Sequence, residues 1–202
     1  MELGDLTFEN DWVKLETIRP SDQTRDFIRA SGAIEAMWEW LPRLPDRGTT
    51  FDAYYDHVMR RVKSGAMLPV FVKSKIDGSF AGGASFMRIN RTHRSLQIGF
   101  VWMPPHLRGS PISLATQAAM LQGAIEWRAR RVFWLVDVLN TRYSHFLEEK
   151  VGAKKEGVLE SYARMNDGRW STSAVYALVG DGIPKAVKRI EENLAREFSV
   201  TD

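Results

Sequence analysis

The hydrophobic and polar positions along this chain change period several times, and each change marks an element. Residues 12–18, Trp12-Val13-Lys14-Leu15-Glu16-Thr17-Ile18, alternate and predict a strand. Pro20-Ser21-Asp22 is a stop followed by a helix cap, so a helix to about Ala30 is expected. A second short helix is expected over 33–41, ending before Pro42. Thr50 can cap a third, because Phe51, Tyr54, Tyr55, Val58 and Val62 share one face at helical spacing. Strand signals then take over. Residues 68–75 and 79–90 read as two strands joined by the turn Asp77-Gly78, and Gly82-Gly83 predicts a bulge or close packing in the second. A third strand over 94–103 ends at Pro104-Pro105. An amphipathic helix is expected over 113–130, with Leu114, Ala118, Leu121 and Ile125 on its apolar stripe. Residues 132–138 are too apolar for an edge strand and predict one buried on both faces. A short helix over 142–150 should stop at Gly152. Strands over 153–164 and 170–179 follow, joined by Asn166-Asp167-Gly168, and a last helix begins near Pro184 with Val187, Ile190 and Leu194 inward. This order predicts a mixed α/β sheet with one central crossover helix.

Composition narrows the function classes. The chain has 202 residues, of which 44% are hydrophobic and 26% charged, enough to bury a large core without staples. It has no cysteine, which excludes a disulfide framework, a thiolate zinc site and a cysteine nucleophile. His93, His106 and His145 fall at no metal-ligand spacing, so no metal is expected. The formal charge is +3 with both signs interspersed, and no motif that reads nucleic acid is present. The basic run Arg128-Ala129-Arg130-Arg131 suits the carboxyl end of the crossover helix. The acidic start Met1-Glu2-Leu3-Gly4-Asp5 does not read as a signal peptide, and no segment approaches the about 18 apolar residues of a membrane helix. A cytoplasmic protein without membrane partners is the expectation. A homodimer is compatible with the sequence but not required by it.

One element links a strand to a long helix through a turn able to hold phosphate: Trp102-Met103-Pro104-Pro105-His106-Leu107-Arg108-Gly109-Ser110-Pro111-Ile112-Ser113. The first turn of a helix presents free N–H groups and the positive end of its dipole, so a diphosphate can sit there without a metal. Arg108 adds charge and Gly109 permits close approach of backbone. The same residues also make an ordinary helix start, with Ser110 as cap and Pro111 in the first turn. Physics alone leaves both readings open.

The ordered set of segments resembles the general N-acetyltransferase (GNAT) superfamily, most of all its RimJ/RimL-type branch of ribosomal-protein amino-terminal acetyltransferases. The resemblance rests on Ile98-Gly99, Phe100-Val101-Trp102, Pro104, Arg108-Gly109-Ser110-Pro111-Ile112-Ser113, Val136-Asp137-Val138-Leu139-Asn140, Ser144 to Gly152-Ala153, Glu156-Gly157-Val158-Leu159 and Ile183-Pro184-Lys185-Ala186-Val187-Lys188. It covers about residues 8–195 and is weakest before residue 65. It implies a GNAT fold in one domain over 1–202, with a carboxyl-terminal helix about 184–198. In that fold a mostly antiparallel sheet, flanked by helices, is splayed between its fourth and fifth strands, and the fourth carries a bulge. It further implies acetyl-CoA as cosubstrate, without a metal, and direct attack by a primary amine of a protein amino terminus or small molecule. The resemblance carries the pantetheine arm to Val101, Trp102 and Met103, the pyrophosphate to Arg108, Gly109, Ser110, Pro111, Ile112 and Ser113, and a supporting role to Asn140. Tyr143 becomes a candidate acid for the leaving thiolate and Ser144 a second candidate, while Trp38, Trp40 and Tyr54 could line the acceptor pocket. Glu148 falls where other branches place a tyrosine acid.

Three departures from the family pattern matter. Pro111 stands where glycine is usual and lacks an N–H. Gln97 stands where many members carry a glutamate base, and an amide takes no proton near neutrality. One extra residue separates Asn140 from Ser144. Pro111 and Gln97 together keep open an alternative: a GNAT-fold acyl-CoA-binding or regulatory protein without transferase activity.

Overall fold

The alternating runs assemble into an eight-stranded sheet in the computed structural model, which describes residues 7–18, 39–43 and 51–198. Its strands are β1 (Thr7–Glu9), β2 (Val13–Thr17), β3 (Met67–Ser74), β4 (Phe80–Asn90), β5 (Ser95–Trp102), β6 (Arg131–Asp137), β7 (Lys154–Arg164) and β8 (Trp170–Val179). They lie in the order β1-β2-β3-β4-β5-β6-β8-β7. Every neighbouring pair is antiparallel except β5 and β6, which are parallel and so need a crossover. Among the described residues four α-helices, α1 (Phe51–Lys63), α2 (Pro111–Glu126), α3 (Thr141–His145) and α4 (Gly182–Phe198), accompany it. This is the mixed sheet with one crossover helix that the hydrophobic pattern predicts, and it is mostly antiparallel, as the resemblance implies.

The period-two pattern divides the sheet into two cores. Leu15, Val70, Phe86, Ile98, Val132 and Trp134 face α2 and α4, where they meet Leu121, Ile190 and Leu194. Met67, Phe71, Met87 and Trp102 face the other way and meet Tyr54, Tyr55 and Val58 of α1. Burying each large aliphatic or aromatic side chain contributes about 1.5–3 kcal/mol, so both layers hold the central strands in place.

Several local expectations change. The crossover helix α2 is not amphipathic: Ile112, Leu114, Ala115, Ala118, Ala119, Met120, Leu121 and Ala124 are buried around most of its circumference. It lies between the sheet and α4, and its amino-terminal strand neighbours close over it. At Gly123 a side chain would stand 2.7 Å from the Phe8 ring of β1, a strand too short for its sequence to announce. The helix stops at Glu126 rather than continuing to 130, because Arg128 takes a left-handed turn (φ 57°) into β6. The basic run therefore lies beyond the helix, and Arg131 forms an ion pair with Glu156 instead. The strand β6 is buried on one face only; Val132, Trp134 and Val136 are inside, whereas Phe133 and Leu135 are half-buried beside an open cleft.

After Asn140 the chain enters α3 directly. The helix then widens into a π turn over Phe146–Val151, and Gly152 ends it at φ 81°. The expected helix over 20–30, most of the one over 33–41, and Thr50 lie outside the described residues. Residues 39–41 form a turn and bend rather than the end of a helix. This segment is strapped to the β7–β8 hairpin: Pro42 bridges Met165, the Arg43 N–H donates to the Arg164 carbonyl (2.8 Å), and Asn166 Nδ2 donates to the Leu41 carbonyl (3.2 Å).

Candidate functional site

The site begins where β5 and β6 part. They pair in register only at Ser95–Arg131, Leu96–Val132 and Gln97–Phe133. Beyond Gln97 the two strands diverge, which is the splay the resemblance implies. On its other side β5 stays paired to β4, but Ser85 faces Gly99 and Gly83 faces Trp102, so β5 carries one residue too many. The bulge is at Phe100, whose φ of 50° is left-handed and costs about 1 kcal/mol or more in a residue with a side chain. Packing holds it there: the Phe100 ring lies 6.1 Å from Tyr54 and stacks on His57 at 6.4 Å. The Gly82-Gly83 pair makes both the register shift and a close approach, since a Cβ at Gly82 would stand 2.4 Å from the Trp102 carbonyl oxygen.

The splay leaves one edge of β5 unpaired after Gln97, and two cavities open from it. The first, of about 290 Å³, is lined by Val101, Trp102, Met103, Arg108, Gly109, Ser113, Asn140, Arg142 and Tyr143, with Glu39, Trp40 and Leu41 at its rim. The second, of about 450 Å³, lies over Gln97, Gly99, Leu135 and Asp137 and reaches His57, Arg61 and Tyr162. Trp40, Leu41, Val101, Asn140 and Tyr143 line both, so the two spaces meet in the gap between the strands.

The turn after β5 is built by its own side chains. Pro105–Leu107 forms one 3₁₀ turn, and Gly109 swings the chain at φ 74° toward α2. Ser110 caps α2, its Oγ accepting weakly from the Ser113 N–H at 3.4 Å, and Pro111 takes the first helical position. The N–H of Arg108 goes to Pro105 O (3.3 Å) and that of Ser110 to Leu107 O (3.2 Å). The N–H groups of Gly109 and Ile112 find no acceptor among the described residues. Within 108–113, those two are the donors an anion could use. Pro111 removes nothing the cavity needs there, because neither it, Ser110 nor the buried Ile112 side chain lines the space.

Arg108 is already engaged. Its Nε donates to the Met103 carbonyl (3.2 Å) and its Nη1 lies 3.1 Å from a Glu39 carboxylate oxygen. Arg142, which sequence reasoning passed over, lies against the same turn. Its guanidinium donates to the Arg108 carbonyl, and it would stand 3.2 Å from a Cβ at Gly109. Its only sequence signal was a basic residue two positions after Asn140.

Asn140 ends the turn after β6. Its Oδ1 accepts from the Tyr143 N–H (3.2 Å) and caps α3, which turns the Nδ2 group toward the cavities. Tyr143 stands in the gap itself. Its ring stacks on Phe146 at 5.9 Å, and its hydroxyl accepts from Gln117 Nε2 (3.2 Å). Burial pushes the phenol above its ordinary value of 10.0, and the Gln117 hydrogen bond only partly offsets this. Tyr143 therefore stays protonated as a hydrogen-bond donor across the neutral range.

Other predicted residues fall elsewhere. Ser144 lines neither cavity; its side chain acts on the phenol of Tyr176 on β8 instead, partly offsetting the rise that burial imposes there. Tyr54 is 5% exposed and belongs to the core beneath Phe100 rather than to a pocket wall. Trp40 lines both cavities, and Trp38 lies outside the described residues. Glu148, His93, His106 and His145 line neither of these cavities. Among the described residues no group of three His, Asp or Glu side chains is placed to hold a metal ion, and no helix is long and apolar enough to cross a membrane.

Gln97 lies at the last paired position of the splay, 7% exposed, with Oε1 lacking any hydrogen-bond partner. The carboxylate on the same face, Asp137, is held by Arg169 Nη1 at 2.6 Å and accepts from the Leu139 N–H at 3.0 Å.

Solved structures share this overall fold. A protein of T. thermophilus assigned to the acetyltransferases is 25% identical, covering 96% of this chain and 100% of its own, with a TM-score of 0.80. The chain has the GNAT fold. Its fold is also that of a GCN5-related N-acetyltransferase from Brucella melitensis (24% identity, 96% of this chain and 87% of that one, TM-score 0.80). It is equally that of Mycobacterium smegmatis RimJ in complex with CoA-disulfide (21% identity, 94% and 93%, TM-score 0.74). No family model and no curated protein matches the sequence of this GNAT chain.

Proposed function

We propose that this protein is an N-acetyltransferase of the RimJ/RimL-like branch that moves an acetyl group from acetyl-CoA to a primary amine. The observation that carries the reading is the meeting of two cavities across the parted edges of β5 and β6. One space is bordered by an open strand edge and an Arg-Gly turn with two free N–H groups. The other is lined by polar side chains and reaches the surface.

The open edge of β5 at Val101 to Met103 can pair with the amides of a pantetheine arm as it would with a strand. The N–H groups of Gly109 and Ile112, with Arg108 and Arg142, suit a diphosphate at the start of α2. The amine then arrives from the second cavity at the gap by Asn140 and Tyr143. Its nitrogen bonds to the thioester carbon, the C–S bond breaks, and the thiolate leaves to be protonated. Orientation of the two substrates supplies most of the acceleration. Tyr143 can donate a hydrogen bond to the departing sulfur, while its raised phenol keeps the proton itself. Gln97 cannot take the amine proton, so the amine releases it to water in the open cleft.

The leading acceptor is a protein amino terminus, with a small amine as the other case. Cytoplasmic residence and a homodimer fit the reading. Titration calorimetry with acetyl-CoA tests it: binding in the micromolar range is expected, and no heat at millimolar concentration would remove it. The unprotonatable Gln97 favours the second reading, an acyl-CoA-binding module without turnover. Free-thiol release over an amine panel separates the two.

A further inference from the structure

We infer that the acceptor amine carries an anionic group close to it, and that Arg61, Arg88 and Arg43 receive that group. The inference rests on the transferase reading above and adds the class of acceptor. The acceptor cavity of about 450 Å³ is lined by three guanidinium groups: Arg43 from the strap, Arg61 from α1 and Arg88 from β4. Among the described residues none of the three forms an ion pair with a carboxylate. The one carboxylate in the lining, Asp137, is already held by Arg169 at 2.6 Å, so it does not neutralise them.

Two of the three are prepared rather than merely present. The Nε of Arg61 is buried and makes no hydrogen bond, which leaves a charged donor unsatisfied until something enters. Arg88 is pinned at φ 48°, with its guanidinium donating to the Tyr162 hydroxyl and lying 5.7 Å from that ring's centroid. A guanidinium held on a ring keeps its remaining donors in a fixed fork, the geometry that carboxylate and phosphate oxygens match. In the same lining the unpartnered Oε1 of Gln97 offers an acceptor to an amine hydrogen.

The lining thus combines this acceptor atom with three cations. An α-amino acid, or a peptide with an acidic residue next to its amino terminus, presents the complementary groups. A polyamine would meet like charge instead.

Matched acceptor pairs test the inference by thiol release at saturating acetyl-CoA. Alanine against alaninamide isolates a free α-carboxylate. Ala-Glu-Ala amide against Ala-Gln-Ala amide isolates an acidic peptide start. In at least one pair the anionic member should have a kcat/KM about tenfold or more above its neutral partner, as expected for a hydrogen bond to a charged group. Arg61→Gln and, separately, Arg88→Gln should erase most of that preference while leaving the neutral partner within about twofold. Neutral acceptors, or spermidine, used as well as the anionic ones would overturn the inference and leave the transferase reading standing. Should no acceptor turn over, calorimetry of the CoA complex with Ala-Glu-Ala amide and with alanine decides the matter. Binding lost in Arg61→Gln supports the inference, and absence of binding overturns it. Failure to bind acetyl-CoA in the same titrations would instead mark failure of the transferase reading.

Discussion

Arg108 is held by Glu39 in this structure, and acetyl-CoA binding must break that hold if the Arg-Gly turn takes the diphosphate. The pair is 3.1 Å long, and its side chains are 27% and 56% exposed. An ion pair that exposed contributes about 0–1 kcal/mol. A guanidinium hydrogen-bonded to phosphate contributes about 1.5–3 kcal/mol. The difference leaves Arg108 worth about 0.5–3 kcal/mol, so Arg108→Ala should weaken acetyl-CoA by roughly two- to 160-fold. Glu39→Gln removes only the competitor and should tighten binding by up to about fivefold. In the double variant the Glu39→Gln gain should vanish, because no guanidinium remains to be released. Calorimetry at low and high salt measures all four proteins, and the effects should shrink together as salt rises. Thermal melting should show a loss of about 1 kcal/mol or less in Arg108→Ala, since the ion pair is exposed and the hydrogen bond to Met103 O is a single neutral acceptor. An unchanged dissociation constant in Arg108→Ala would refute the phosphate assignment. A Glu39→Gln gain that persists without Arg108 would refute the exchange of partners.

Other consequences follow from the packing and the charges. Gly83→Ala would place a Cβ 2.7 Å from Trp102 Nε1, so the indole must shift; a loss of about 1–3 kcal/mol in denaturant unfolding, with weaker acetyl-CoA binding, is expected. If the variant melts like the parent and binds equally well, Trp102 is not the rigid wall described. Arg169→Ala would leave the buried Asp137 carboxylate unpaired and should cost about 3 kcal/mol, whereas Asp137 and Arg169 replaced together should cost less than the sum. Strict additivity in that cycle would dismiss the pair. Burial raises the phenols of Tyr54 and Tyr143 above the ordinary 10.0, so both stay neutral in the fold while unfolded tyrosine ionises. The stability they lend is complete below about pH 10 and lost as pH climbs past it, and Tyr54→Phe should flatten that decline. A denaturant midpoint steady from about pH 9 to 11 would count against their burial.

Much of this architecture was readable from local pattern. The strands at 68–75, 79–90 and 170–179, the turns at Asp77-Gly78 and Asn166-Asp167-Gly168, and the stop at Gly152 are decided by neighbours a few residues apart. The cap at Ser110 and the proline behind it are equally local, which is why the start of α2 was legible. Its far end was not, because apolar periodicity could not tell a helix half-covered by a sheet from one enclosed between the sheet and α4. Three-residue β1 carries too little pattern to be seen, although its Phe8 decides that position 123 must be glycine.

The site divides the same way. Val101 to Met103, Arg108, Gly109, Ser113 and Asn140 were named through the resemblance, and they line one cavity because they sit on one continuous strand–turn–helix or just after the next strand. The parting of β5 from β6 was implied by the resemblance, but local pattern does not place it after Gln97, since it depends on a bulge at Phe100 that is held by rings from α1 some forty residues earlier. The same holds for the partners that close the cavities. Glu39 reaches Arg108 across 69 residues of chain, and Arg142 reaches the Arg108 carbonyl across 34. Sequence alone determined which backbone segments offer donors, edges and caps, because those follow from φ, ψ and nearest neighbours. Only the tertiary structure decided which of those donors stay free, which charges are already paired, and that three arginines from three separate elements converge on one cleft. Such outcomes depend on distances that chain connectivity does not set.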